Sequence, residues 1–346
     1  MANKRLLALA TVAVFALSAC SSAAATPTTA PAATQAPAAA TAAAPTMNAN
    51  ATPVAGKPYI SIVSKGFQHQ FWQAVKKGAE DEAATEGATV NFIGPNTEAD
   101  VQPQLDMLSA ELAKKPAALC FAALDSKAAG PILQKFQDAK IPVIAFDSGV
   151  DSTIPLTTVA TDNVAAAALA ADKMAAAIGG SGKVGVIIHD QTSRTGIDRT
   201  TGFLNEMKAK YPNITIIGPQ YGGGDVAKSA DLAKSMIAAN PDIKGFFGGN
   251  EGSIEGVLNA VNELHLNGKV TLIGYDSGQP QLDAINSGTE IGAITQNPIG
   301  IGAQCVVYAM KAIKGDTSFG KTVDTGFMWY DKTNINDAKI QAVLYK

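Results

Sequence analysis

From Tyr59 onward the chain alternates short, mainly apolar runs with stretches whose apolar residues recur every three or four positions. The runs cover 59–64, 89–93, 117–121, 142–146, 184–188, 214–217, 245–247, 270–275 and 291–295. Apolar residues on both sides of so short a segment are what a strand covered on both faces requires. The stretches between them, 71–85, 101–114, 128–139, 164–178, 202–210, 226–239 and 254–264, carry the helical period. This alternation predicts an α/β fold of parallel sheets with helices on both faces. Gly87, Lys115-Pro116 and Asn240-Pro241 read as helix ends, and Asp100, Ser126, Asp162 and Asp225 as helix starters. Two architectures fit: a closed eight-stranded barrel and two open, doubly wound lobes. Polar residues gather just after the runs, at Gln68-His69-Gln70, Asp125, Asp147, 190–199, Asn250-Glu251, Asp276 and Gln296-Asn297. Both architectures place ligands there, outside the carboxyl ends of parallel strands.

The segment before Tyr59 has another pattern. Lys4 and Arg5 precede an apolar run over 6–16, and Leu17-Ser18-Ala19-Cys20 follows it. This is the layout of a secretory signal, whose apolar core is too short for a comfortable membrane span. The last four residues resemble the lipobox of bacterial lipoproteins, which implies cleavage before Cys20 and lipidation of its sulfur. Residues 21–56 are almost all Ala, Thr, Pro and Ser, which cannot bury enough apolar surface to offset ordering entropy. The expectation is a signal peptide over 1–20, a disordered tether over 21–56, and a folded body held outside the cytoplasm by a lipid anchor at Cys20, in the periplasm or at the cell surface. ATP and nicotinamide cofactors are not supplied in that compartment.

Composition narrows the function further. The chain of 346 residues is 47% apolar and 16% charged with a net charge of −3, which suits a globular body of about two domains. No basic block exists, so nucleic acid is not an expected partner. Cys120 and Cys305 lie inside apolar patterns and read as small buried hydrophobes, with a disulfide between them as the alternative in an oxidising compartment. His69, His189 and His265 are scattered, so neither metal nor cofactor is expected. Gly179-Gly180-Ser181-Gly182 precedes a run, whereas a phosphate cradle follows one; Gly222-Gly223-Gly224 has the right order but lacks the Lys and Ser/Thr of a P-loop. No Gly-x-Ser-x-Gly elbow occurs, so catalysis is not expected.

Specific residues carry a resemblance. They are Ser64, Gln68-His69-Gln70-Phe71-Trp72, Phe146-Asp147-Ser148, Ala160-Thr161-Asp162-Asn163, Arg199 with Gly202-Phe203, Asn250-Glu251, Gly274-Tyr275-Asp276 and Gln296, in that order and each near a strand end. The body, over 59–330, resembles the type I periplasmic solute-binding proteins of the ribose-binding kind, which share their core with the lac repressor family. The resemblance implies two doubly wound parallel-sheet lobes joined by three crossings near Asp162, Gln296 and Thr325. It assigns 57–161 and 297–325 to the N-terminal lobe, and 162–296 and 326–346 to the C-terminal lobe, with a sugar between them. It implies contacts from His69, from Phe71 and Trp72 as two rings sandwiching the sugar, from Asp147 in the first lobe, from Arg199, Asn250 and Asp276 in the second, and from Gln296 at the hinge. It further implies a monomeric receptor of an ABC-type importer, with a membrane permease as its protein partner.

These residue types suit a hydroxylated ring: aromatic faces cover its C–H surfaces, carboxylates accept hydroxyl protons, and Arg, Asn and Gln donate to oxygens. Two departures stand out. Ser148 sits where ribose binders carry an arginine, and Gly224 near a third ring of their site. A less cationic, differently shaped pocket is expected, suited to a related monosaccharide, deoxy sugar, polyol or cyclitol rather than ribose. A chemoreceptor or sensor-kinase ligand receptor would share this sequence, and a secreted sugar-modifying enzyme is the other alternative.

Overall fold

The computed structural model describes residues 54–345. The expected signal peptide, Cys20 and nearly all of the expected tether lie outside these residues. The chain runs through β1 (Tyr59–Val63), α1 (Gln70–Glu86), β2 (Thr89–Ile93), α2 (Val101–Ala113), β3 (Ala118–Phe121), α3 (Gly130–Asp138), β4 (Val143–Phe146) and β5 (Thr158–Ala160). It continues with α4 (Asn163–Ala177), β6 (Gly182–Ile188), α5 (Arg194–Lys210), β7 (Ile214–Tyr221), α6 (Val226–Ala239), β8 (Ile243–Gly248), α7 (Glu251–Glu263), β9 (Thr271–Tyr275), α8 (Gln279–Ser287) and β10 (Gly292–Gln296). It ends with α9 (Pro298–Ile313), β11 (Thr322–Asp324), β12 (Phe327–Tyr330) and α10 (Ala338–Gln341).

The strands form two separate sheets among the described residues, which excludes the closed barrel. One has the order β11-β5-β4-β3-β1-β2, the other β12-β10-β9-β8-β6-β7. Every pairing is parallel except β10 with β12, which is antiparallel. Strands β1, β3, β4 and β10 are buried at every position, as a sheet covered on both faces demands. The chain passes between the sheets after β5, after β10 and between β11 and β12. In each crossing helix the sequence explains the start: Asp162 accepts from the Ala165 amide at the head of α4, and Asn297 from Gly300 at the head of α9.

Helix packing is close. Helix α9, which arrives from the far end of the chain, crosses α1 over the first sheet, and glycines allow the contact. A Cβ at Gly78 would overlap the Ile299 carbonyl, and one at Gly302 the Val75 carbonyl. Cys305 on α9 forms a disulfide with Cys120 on β3, across a sequence separation of 185. Both cysteines are buried, as expected, and the pairing left open by the sequence is made: they tie helix to sheet covalently.

Two expected helix starters do not cap. Asp100 turns its carboxylate back to the Thr97 amide and hydroxyl, and α3 begins at Gly130, beyond Ser126, whose hydroxyl donates to Asp151. Helix α5 starts at Arg194, earlier than the expected 202, because Ser193 accepts from the Gly196 amide and nucleates a polar first turn.

Candidate functional site

The strand ends of both sheets point at one cavity. Lys65 follows β1, Glu98 lies in the loop after β2, and Asp147 follows β4 directly. From the other sheet His189 follows β6, Asn250 follows β8, Asp276 follows β9, and Gln296 ends β10. His69, Phe71 and Trp72 come from the head of α1, and Thr195 and Arg199 from the first turns of α5. These residues line one shared cavity and all are buried. All eight site residues expected from the sequence are brought together there. Lys65, Glu98, His189 and Thr195 were missed. Lys65 and His189 had a signal, since each comes within two residues of a strand end, like those recognised.

The second lobe supplies a rigid polar wall. The Arg199 guanidinium donates from Nε to Asn163 Oδ1 at 2.8 Å and from Nη1 to the Gly249 carbonyl at 2.9 Å. It stacks 3.7 Å above the Tyr275 ring, whose hydroxyl donates to the same Asn163 oxygen. Asp276 accepts from the Glu251 amide at 3.0 Å and from Gln296 Nε2 at 2.7 Å, with Arg199 at 3.9 Å. Asn250 caps α7 by accepting from the Ser253 amide, which leaves its side-chain NH₂ for other use.

The first lobe supplies charges of both signs. Glu98 accepts from Trp72 Nε1 at 2.7 Å, and Lys65 lies 3.8 Å away. Burial alone would raise the Glu98 carboxyl; the charge of Lys65 foremost, with the Trp72 bond, outweighs it and holds it at about 2. Burial, opposed by Lys65 and Arg199, pushes Asp147 up to about 6. Burial, then Lys65 and Arg199, pull His189 well below the ordinary histidine range, so its ring is neutral. His69 Nε2, His189 Nδ1 and Gln296 Oε1 are buried without a partner among the described residues.

Two expectations need correction. Phe71 and Trp72 do not face each other across a gap: their rings meet edge to face, with centroids 5.0 Å apart and planes at 84°. They are consecutive on one helical turn, so both rings line one side of the cavity instead of flanking it. Nor is the pocket poor in cations, because Lys65 offsets the arginine missing at Ser148.

The cleft is closed. Lys65 Nζ donates to Thr195 Oγ1 at 3.1 Å, the Ser126 amide donates to the Thr192 carbonyl at 2.9 Å, and Thr192 Oγ1 donates to the Leu124 carbonyl at 3.2 Å. The amides of Gln70 and Phe71 donate to the Glu251 carboxylate at 2.9 and 3.2 Å, and the Gln279 amide donates to Gln70 Oε1 at 2.7 Å. Each of these bonds joins an element of one sheet to an element of the other.

Residues 60–317 match the model of the periplasmic binding protein domain. The D-allose-binding periplasmic protein of Escherichia coli is 29% identical over 252 residues, covering 70% of this chain and 80% of that protein. An ABC transporter solute-binding protein from Agrobacterium vitis, solved with bound D-fucose, has a TM-score of 0.81 at 30% identity, covering 83% of this chain and 100% of that one. A carbohydrate transporter solute-binding protein from Agrobacterium radiobacter, in complex with D-arabinose, has a TM-score of 0.81 at 32% identity, covering 84% of this chain and 100% of that one.

Proposed function

The chain belongs to the periplasmic binding protein domain family, and from that membership we propose that it is the extracytoplasmic substrate-binding protein of an ABC-type importer, closing on a monosaccharide or related polyol. One observation supports this reading above the others. A closed cavity joins carboxylates, cations, amides and two aromatic rings at the strand ends of both sheets. Within it, the Asp147 carboxylate receives no hydrogen bond from a described residue and is open to ligand hydroxyls. Bonds to charged groups contribute roughly 1.5–3 kcal/mol each, so a few such contacts reach micromolar affinity.

In this reading His69, Phe71, Trp72, Asp147, Arg199, Asn250, Asp276 and Gln296 contact the ligand. The lobes are 57–161 with 297–325 and 162–296 with 326–346. The closed form docks on a permease, the lipobox-like Cys20 anchors the chain, and the ligand leaves unaltered. The acidic pair Asp147 and Asp276 binds and does not catalyse, since Asp276 is already held by two donors within its own lobe.

A thermal-shift screen over pentoses, hexoses, deoxy sugars and inositols, with D-allose, D-fucose and D-arabinose among them, tests this. A ligand at a hundred times its dissociation constant adds about 2.7 kcal/mol. A flat screen refutes the reading, and conversion of a bound sugar, seen by NMR, refutes its non-catalytic part.

A further inference from the structure

Helix α1 begins without a cap of its own. Its N-cap residue, His69, makes no side-chain bond to the helix, so the first amides need acceptors from elsewhere. They find one on the other lobe. Glu251, the first residue of α7, accepts from the Gln70 amide with Oε1 and from the Phe71 amide with Oε2. The reverse also holds. Helix α8 starts after Gly278, which has no side chain, and its first amide, Gln279, donates to Gln70 Oε1 from the first lobe. Each lobe therefore completes the head of a helix in the other. A Cβ at Gly278 would stand 3.1 Å from the Glu251 carboxyl and 3.3 Å from Gln70 Oε1, so glycine leaves room for both caps.

We propose that Glu251 and Gln70 form an inter-lobe latch that sets the population of the closed form, and through it the affinity for every ligand alike, while touching none of them. Neither residue lines the cavity. Asp276 links cavity and latch, because it lines the former and accepts the Glu251 amide at 3.0 Å. Burial, with Glu255 and Asp276, raises the Glu251 carboxyl to about 8, so what it brings to α1 on closure is two acceptor oxygens for uncapped amides rather than a full negative charge. Apparent affinity scales with the fraction of competent protein, so weakening the closed form weakens every ligand by one common factor. The inference rests on the cleft being the ligand site.

The test uses the full chain with one spin label on each lobe, read as distance distributions by pulsed electron resonance, alongside calorimetry with D-allose, D-fucose and D-arabinose. Glu251→Ala is expected to lower the closed-to-open ratio about tenfold, the scale of a lost helix cap. It should raise Kd for each sugar by the same factor. Gln70→Ala should act in the same direction, and Glu251→Gln, which keeps one of the two acceptor oxygens, should fall between wild type and Glu251→Ala, with ligand-free melting close to wild type throughout. Equal distributions and affinities in wild type and the Glu251→Ala/Gln70→Ala double variant overturn the latch. A loss that differs from sugar to sugar also overturns it, since that marks a direct contact. If no sugar binds the wild type, the ligand reading fails separately. The ligand-free distributions still decide the latch: a closed population lost in the variants supports it, and one that is unchanged, or absent from the wild type, overturns it.

Discussion

Asp147 and Asp276 occupy equivalent positions in the two lobes but differ in how their carboxylates are held. Each follows a strand directly, in Phe146-Asp147-Ser148-Gly149 and Tyr275-Asp276-Ser277-Gly278. Each has a positive φ, 53° and 82°, which few residues other than glycine adopt. Each keeps its amide bonded to the neighbouring strand, Asp147 to Val159 and Asp276 to Ile294. Two strained residues pinned this way turn their side chains into the cleft from opposite sides. Asp276 is then held in place by Glu251 and Gln296, whereas Asp147 receives no hydrogen bond from a described residue.

Asp147 should therefore give sugar binding its pH dependence. Burial, with Glu98 and Asp276 adding to it, raises this carboxyl to about 6 against the pull of Lys65 and Arg199. Ligand hydroxyls donate to the ionised form. Affinity should hold above that value and be lost as pH falls through it, by up to about tenfold per unit. Calorimetry from pH 5 to 8 checks this, and Asp147→Asn should bind weakly with a flat profile over the same range. A profile that persists in the variant assigns the titration to another group.

Trp72 should be as much a core residue as a binding one. It is 1% exposed, packs against Phe71 and Phe146, and holds Glu98 through its indole N–H. Trp72→Ala should cost about 3–5 kcal/mol of ligand-free stability in urea denaturation. An unchanged denaturation midpoint with binding lost would show a ring committed to the ligand alone.

The disulfide should stabilise the first lobe. It closes a loop spanning a separation of 185 residues, so replacing Cys120 and Cys305 with alanine should cost about 2–5 kcal/mol. Melting with and without reductant separates the cases. Reductant should lower the melting temperature of the wild type and leave that of the double variant unchanged.

Glycines in helices should respond in opposite directions. A methyl at Gly78 or Gly302 runs into a carbonyl of the crossing helix, which cannot rotate away. Alanine there should cost about 1–3 kcal/mol. Gly130 opens α3 with nothing near its Cβ position, and alanine there should stabilise by up to about 1 kcal/mol. Chemical denaturation of the three variants provides the comparison.

The buried strands were legible in the sequence because both of their faces need apolar residues. The short strands β5, β11 and β12 were not. Thr-Val-Ala and Thr-Val-Asp are too short to carry a period, and pairing with a neighbour defines them. The site was legible where a polar residue follows an apolar run, as at Asp147, Asn250 and Asp276. Glu98 was missed because it lies several residues beyond β2, and Thr195 because Ser193 starts α5 earlier than its apolar pattern does. Nothing local announces the partnership of Cys120 with Cys305. The adjacency of Phe71 and Trp72 shows that they share a helical turn and not where their rings point.

The strands β11 and β12, both drawn from the last part of the chain, each finish the rim of a different sheet. Neither sheet can complete that edge before residues 322–330 arrive, so the two lobes depend for their last strands on one short segment and must finish forming together.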